Sequence, residues 1–415
     1  MVSSGPPTSQ SPPSRSSRRA FLAAAGTTLT TGLAGCNALS SGDAAGAFSD
    51  AGWHQFGNDA TNTNHVAGGA PEPTTRETLA TGGWPEIPPV VNDGVVYFAR
   101  DHGVVAVETD GDEKWSRSLD DEQRIEVSGA PALDPDRGRL YVPTRLVPRS
   151  NGPDPAPASV TVLSLEDGAA LDEFRVGDER TYGVSIVDGD VYARSATSCV
   201  RLGPDGTERW RHTLDPLVYD EYNLGDDTAT QVVPAVTDDA VYVPDRDALV
   251  KLDRESGEER WRVDVDTVFA SSVVDEAGVI QTGWRETVAV DHSGEVRWRR
   301  DLGCRSVAAV SDGDVYVVPG DLHELDEETG ETNWQTHVSS EGTAAPVVTD
   351  DDVIVVSGNV HAFRRDVGGL LAPDRERWTR SSAHASAYVS PVVAAGHIFV
   401  VGNFGLQALR RDSEN

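Results

Sequence analysis

Cysteine is almost missing: the 415 residues hold three, Cys36, Cys199 and Cys304. That excludes a disulfide-stapled scaffold and any cysteine-rich zinc site. No HExxH-type spacing offers a metal site either. Lysine is scarcer still. Lys114 and Lys251 are the only two, so the remaining basic residues are arginine. The formal net charge is −32. With no basic stripe to displace counterions, nucleic acid is excluded as a partner. No apolar run reaches the roughly 20 residues that a membrane-spanning helix needs. The nearest, residues 20–35, is short and interrupted by Gly and Thr.

What the chain does have is a repeat. Residues 234–261, PAVTDDAVYVPDRDALVKLDRESGEERW, hold short alternating apolar runs separated by Asp- and Gly-containing turns. Such runs read as half-buried strands. Similar units end at Trp115, Trp210, Trp298, Trp334 and Trp378. A weaker copy starts at Pro131, is interrupted by a Pro-rich insert and ends at Phe174; a partial one starts at Pro391. Tyr97 and Trp115, Tyr192 and Trp210, Ile280 and Trp298, and Tyr316 and Trp334 are each 18 apart, and Tyr242 and Trp261 are 19 apart. A repeat of about 36 to 50 residues with four strands per unit predicts a β-propeller. Central strands at Tyr97, Tyr141, Tyr192, Tyr242, Ile280, Tyr316, Ile354 and Phe399 give an all-β, eight-bladed ring of four-stranded antiparallel blades over residues 52–415. The last unit lacks an outer strand, and residues 52–65 (GWHQFGNDATNTNH) have no hairpin partner. The Trp53 segment is therefore expected to complete the last blade and close a monomeric ring.

The N-terminal 36 residues read differently. Arg18 and Arg19 precede the weakly apolar run, the pattern of a twin-arginine export signal. Leu33-Ala34-Gly35-Cys36 resembles a lipobox, which makes Cys36 the expected site of lipidation. Residues 37–51 are small and polar, suited to a flexible tether. The expected location is the outer face of the cytoplasmic membrane. The acidic, lysine-poor composition resembles that of salt-adapted haloarchaeal proteins. At about 1 M salt the Debye length falls to about 3 Å, and such a surface no longer repels itself.

Residues 324–334, ELDEETGETNW, and 251–261, KLDRESGEERW, resemble the tryptophan-docking repeat A-x-D-x-x-T-G-x-x-x-W of pyrroloquinoline-quinone-type propellers. The resemblance extends over the chain from Gly52 onward. It implies that Trp115, Trp210, Trp261, Trp298, Trp334 and Trp378 each pack between neighbouring blades. Asp253 and Asp326 read as turn residues rather than calcium ligands. The family includes protein-binding envelope lipoproteins without an active site and quinoprotein alcohol dehydrogenases. The dehydrogenases carry a vicinal cysteine pair over the quinone, and this chain has no adjacent cysteines. His102, His292, His361 and His384 are scattered over different units and fit no nucleophile motif. The expectation is a non-catalytic scaffold that binds protein or an envelope polymer, with no metal and no cofactor. The alternative is a quinone-dependent oxidoreductase, or a degenerate ligand-binding relative, using pyrroloquinoline quinone and calcium.

Five units place an arginine just beyond the central strand: Arg100, Arg145, Arg194, Arg246 and Arg285. Those turns share one face of a propeller. The five arginines, with Trp284 and Phe404, form a candidate mouth for an anionic partner, since Arg binds carboxylate or phosphate through paired donors. Alternatively, the adjacent Asp101, Asp245, Asp247 and Glu286 neutralise these arginines.

Overall fold

A strand of three to six residues with one apolar face cannot cover itself. The chain solves this by setting eight antiparallel sheets side by side as the blades of a propeller. The computed structural model describes residues 52–411 apart from 71, 82–86, 101, 120–124, 147–156, 218–231, 267, 339–341, 343, 366–374, 382–384 and 403. Arg18, Arg19, Cys36, the tether, Asp101 and His384 lie outside the described residues.

Blade 1 shows the plan. Val90–Asn92 is innermost, followed outward by Val95–Arg100, Gly103–Glu108 and Glu113–Ser118. The sequence spacing of Tyr and Trp is a register across the outer three strands. Tyr97 lies opposite Ala106, which lies opposite Trp115. The same line runs Tyr192–Arg201–Trp210, Tyr242–Lys251–Trp261 and Ile280–Ala289–Trp298. It recurs as Tyr316–Glu324–Trp334 and Ile354–Ala362–Trp378. Blade 2 is the largest. Its strands Arg139–Leu146, Pro157–Ser164 and Ala170–Asp178 are longer, and both Ala132–Asp134 and Ile125–Val127 pair with the first of them.

Each aromatic then crosses the seam to the next blade. Trp115 Nε1 donates to Leu165 O at 3.1 Å, and Trp210 Nε1 to Arg254 O at 2.9 Å. Trp261 Nε1 donates to His292 O at 3.1 Å, and Trp298 Nε1 to Glu327 O at 2.8 Å. All four carbonyls lie in the turn after the third strand of the following blade. A glycine in that turn lets the ring approach. At Gly257 (φ 71°) an added methyl carbon would lie 2.6 Å from the Trp210 ring. Trp334 instead packs between Phe363, 5.7 Å away, and the Arg375 guanidinium, 4.6 Å from its centroid. Trp378 is buried, and its Nε1 has no partner among the described residues. A buried aromatic of this size contributes 150–250 Å² or so of covered surface. Trp298→Ala should therefore cost about 3 to 5 kcal/mol. The check is a lower urea midpoint with an unchanged slope.

The last blade is completed from the N-terminal side, but not by Trp53. Val392–Ala394, His397–Gly402 and Gly405–Arg410 are joined by Thr75–Ala80, which pairs antiparallel with the last of them. The register Phe399–Ala408–Glu77 puts a glutamate where other blades have tryptophan. Trp53 bridges Val91 of blade 1, with reciprocal backbone hydrogen bonds of 2.8 Å. The expectation for the Trp53 segment is corrected accordingly.

Candidate binding face

In blades 1 to 7 the innermost strand turns a backbone donor toward the axis, and these need acceptors. Residues 53–64 supply them, blade by blade in chain order. Val91 N donates to Trp53 O at 2.8 Å, Leu133 N to His54 O at 2.7 Å, and Ile186 N to Gln55 Oε1 at 2.9 Å. Val236 N donates to Ala60 O at 2.6 Å, Val274 N to Thr61 O at 2.9 Å, Val310 N to Thr63 O at 3.0 Å and Val348 N to Asn64 O at 2.8 Å. His65–Val66 then adds a short parallel pairing to blade 7. The tight course around the axis needs left-handed backbone at Asn58, Asn62 and Asn64, which asparagine tolerates. Asn62 and Asn64 are fully buried. Their side-chain amides donate to Val233 O and Ser272 O, and to Ala308 O. This segment floors the bore at the end where the first and second strands of each blade turn.

The opposite end carries the turns between second and third strands, and with them the predicted arginines. The structure sorts these by role. Arg194 is fully buried. Its guanidinium donates to Pro244 O at 3.3 Å, Ala196 O at 3.1 Å, Asp215 O at 3.0 Å and also Ser195 O. It ties blade 3 to blade 4 and is not available to a ligand, which corrects its assignment to the candidate mouth. Arg100 donates to Thr81 O at 3.1 Å and Ser116 Oγ at 3.3 Å. Arg145 pairs with Glu126 at 3.2 Å beside a small cleft between Ile125, Leu146, Pro157 and Glu173. Arg246 is half-buried. Arg285 is 78% exposed, 3.6 Å from Asp266. The nearby acids are partly spoken for: Glu286 takes Arg299 at 2.8 Å, and Asp245 takes Arg262 at 2.6 Å.

Trp284 sits beside Arg285, edge-on to Phe269 at 5.6 Å, with the Arg305 guanidinium 5.6 Å from its centroid. Tyr182, Leu217 and Val232 pack under this pair. Phe404 and Tyr388 are exposed at 58% and 42%, in blade 8 and the connection leading into it. The face therefore offers an aromatic surface with two guanidinium groups, Arg285 and Arg305, at one place. Sequence reasoning found Trp284 and Arg285 but missed Arg305. It lies in the connection into blade 6, where no repeat position marks it.

Chemistry of the nucleophilic or metal-assisted kind finds little to work with here. Burial pushes the Cys199 thiol up to about 12, and the Cys304 thiol is also raised. Neither is poised as a thiolate. His102 bonds Ile125 O, His292 bonds Tyr242 Oη, and His361 lies between Ser357 and Thr379. Asp253 and Asp326 accept backbone hydrogens of their own turns. Among the described residues no three His, Cys, Asp or Glu side chains converge as metal ligands.

A family model described as "Outer membrane protein assembly factor BamB" matches residues 73–202, 187–286 and 284–400. No curated protein matches the sequence. Among solved structures, BamB from Moraxella catarrhalis is similar at TM-score 0.63 and 14% identity, covering 82% of this chain and 99% of that one. Quinohemoprotein alcohol dehydrogenase from Comamonas testosteroni is similar at TM-score 0.62 and 12% identity, with coverage of 88% and 82%. A computationally designed protein, Ika8, is similar at TM-score 0.61 and 11% identity, with coverage of 80% and 98%. At these identities the likeness shows the fold alone, which an assembly factor, an enzyme and a designed chain all share.

Proposed function

Because the chain belongs to the family described as outer membrane protein assembly factor BamB, we propose that it is a non-catalytic, protein-binding propeller, exported through the Arg18-Arg19 signal and held by lipid at Cys36. The observation that carries the binding role is the asymmetry of the ring. One end of the bore is floored by residues 53–64, and the other presents Trp284, Arg285 and Arg305 together. Aromatic and arginine side chains at one spot are the usual anchors of protein interfaces. The cations favour a carboxylate-bearing segment of the partner. An anionic envelope polymer has the same chemistry and is the competing ligand.

Arg285→Ala combined with Arg305→Ala should abolish capture of the partner from membranes at high salt without changing the melting temperature. Unchanged capture by the double variant would refute the site. Cys36→Ser should shift the protein from the membrane pellet to the soluble fraction, and Arg18→Lys with Arg19→Lys should leave unprocessed precursor inside the cell. The enzyme reading makes its own demand. Purified protein given pyrroloquinoline quinone and Ca²⁺ would have to show a bound-quinone absorbance band and dye-linked dehydrogenase turnover, and we expect neither.

A further inference from the structure

Two of the seams between blades share an arrangement that a third lacks. The residue just after the third strand of a blade reaches back into the blade before it. In blade 4 it is Arg254, which donates to Tyr192 Oη at 2.9 Å and to Asp188 at 2.6 Å. In blade 7 it is Arg365, which donates to Tyr316 Oη at 3.3 Å and to Asp312 at 3.4 Å. Asp188 and Asp312 both occupy the turn between first and second strands of the preceding blade. Each of these seams thus closes an arginine on an aspartate and a tyrosine hydroxyl.

Between blades 5 and 6 all of this changes. The reaching residue is Glu327, which is 6% exposed. The facing turn of the preceding blade holds Asp275 and Glu276, so acid meets acid. The tyrosine position is Ile280, which has no hydroxyl to give. Arg297, on the outer strand of blade 5, is the cation that pairs with Glu327 among the described residues, and it is spread thin. Its Nη2 donates to Glu327 O at 2.6 Å, and its Nη1 is shared between Ala277 O at 3.1 Å and Glu327 Oε1 at 3.4 Å. The Asp275 carboxylate already accepts from Ala277 N at 2.9 Å and Gly278 N at 3.1 Å. Around this seam stand Glu276 beside Asp275, Asp326 and Glu328 beside Glu327, and Asp312 and Asp314 in the turn whose Gly313 O accepts Glu327 N; Asp312 is itself held by Arg365 of blade 7.

We propose that the seam between blades 5 and 6 is a proton-operated joint: the buried Glu327 holds it closed while it keeps its proton, and losing that proton sets a buried carboxylate against the acidic turn of blade 5 and loosens it. Burial and the neighbouring Asp275 push the Glu327 carboxyl up to about 7. The sign follows. A carboxyl whose pKa is raised on folding holds its proton more tightly folded than unfolded. Its contribution is complete below its unfolded value and is lost as the pH rises through about 7. Trp298 docks on this same turn through Glu327 O. Loosening would therefore reach the packing of blade 5 on blade 6.

The test is hydrogen exchange of the intact protein at constant high salt from pH 5 to 8, corrected for intrinsic rates. Peptides covering residues 273–300 and 322–334 should open more at high pH in the wild type, by roughly fiftyfold to a hundredfold. In Glu327→Gln they should not. Peptides around Arg254 serve as the internal control and should hold steady in both. Asp275→Asn leaves Glu327 buried but removes the facing carboxylate, so it should reduce the response without abolishing it, and it decides the matter if Glu327→Gln does not fold. Equal pH dependence in the wild type and the folded variant, or an equal rise around Arg254, would overturn the proposal.

Discussion

A chain that starts at residue 81 should fail to give a stable monomeric ring, whereas one that starts at residue 70 should fold with a lowered melting temperature. The first lacks Thr75–Ala80, the outer strand of blade 8. Without it Gly405–Arg410 becomes a bare edge, its ladder partners from Thr75 to Ala80 gone. Unpaired edges recruit other chains. Glu77 and Leu79 also leave the side of Gly111 in blade 1, so the seam between last and first blades loses its contacts. The second chain keeps that strand and loses only the floor of the bore. Size-exclusion chromatography and thermal unfolding separate the two. A monomeric 81-start chain with an unchanged melting temperature would show that the ring does not depend on this strand.

Arg194→Met should cost about 3 to 5 kcal/mol, and Arg194→Lys should recover only part of it. Four carbonyls, of Pro244, Ser195, Ala196 and Asp215, share the guanidinium in a fully buried setting. A buried acceptor left without a donor costs about 1 to 3 kcal/mol, and rearrangement recovers part of the sum. Lysine brings one compact ammonium and cannot reach acceptors on both blades as a planar fork does. Chemical denaturation reads the loss directly. A variant within about 0.5 kcal/mol of wild type, the range of a neutral surface change, would contradict the role given to Arg194.

These two cases also mark where sequence reasoning succeeds and stops. The blades were legible because the spacing of Tyr and Trp is a register: three strands joined by short turns place Tyr97 opposite Ala106 and Ala106 opposite Trp115. The closing strand was not legible. TRETLA carries no tryptophan, and Glu77 stands in its place, so the repeat gives no sign of it. Arg194 could have been placed. It lies two residues from Tyr192, and side chains two apart on a strand share a face, so a buried tyrosine implies a buried arginine. Arg285 lies past the end of Val279–Thr282, where that rule lapses, and it is exposed. The floor of the bore escaped because most of its acceptors are backbone carbonyls, which any residue supplies. Only the run of Asn and Gly hinted at a path with left-handed turns.

The floor has a consequence for how the molecule comes into being. Residues 53–64 meet their partners in the order in which those partners are synthesised: Trp53 needs Val91, Ala60 needs Val236, and Asn64 needs Val348. The segment can thus be secured one carbonyl at a time as the chain lengthens, much as a zip closes. Thr75–Ala80 has no such schedule. It must wait for Gly405–Arg410, which lie in the last blade, beyond all seven others. Contacts separated by so much chain are slow to form, and they leave strand edges exposed in the meantime. The rate of ring closure is therefore set by the meeting of Thr75–Ala80 with Gly405–Arg410, after the blades between them have been made.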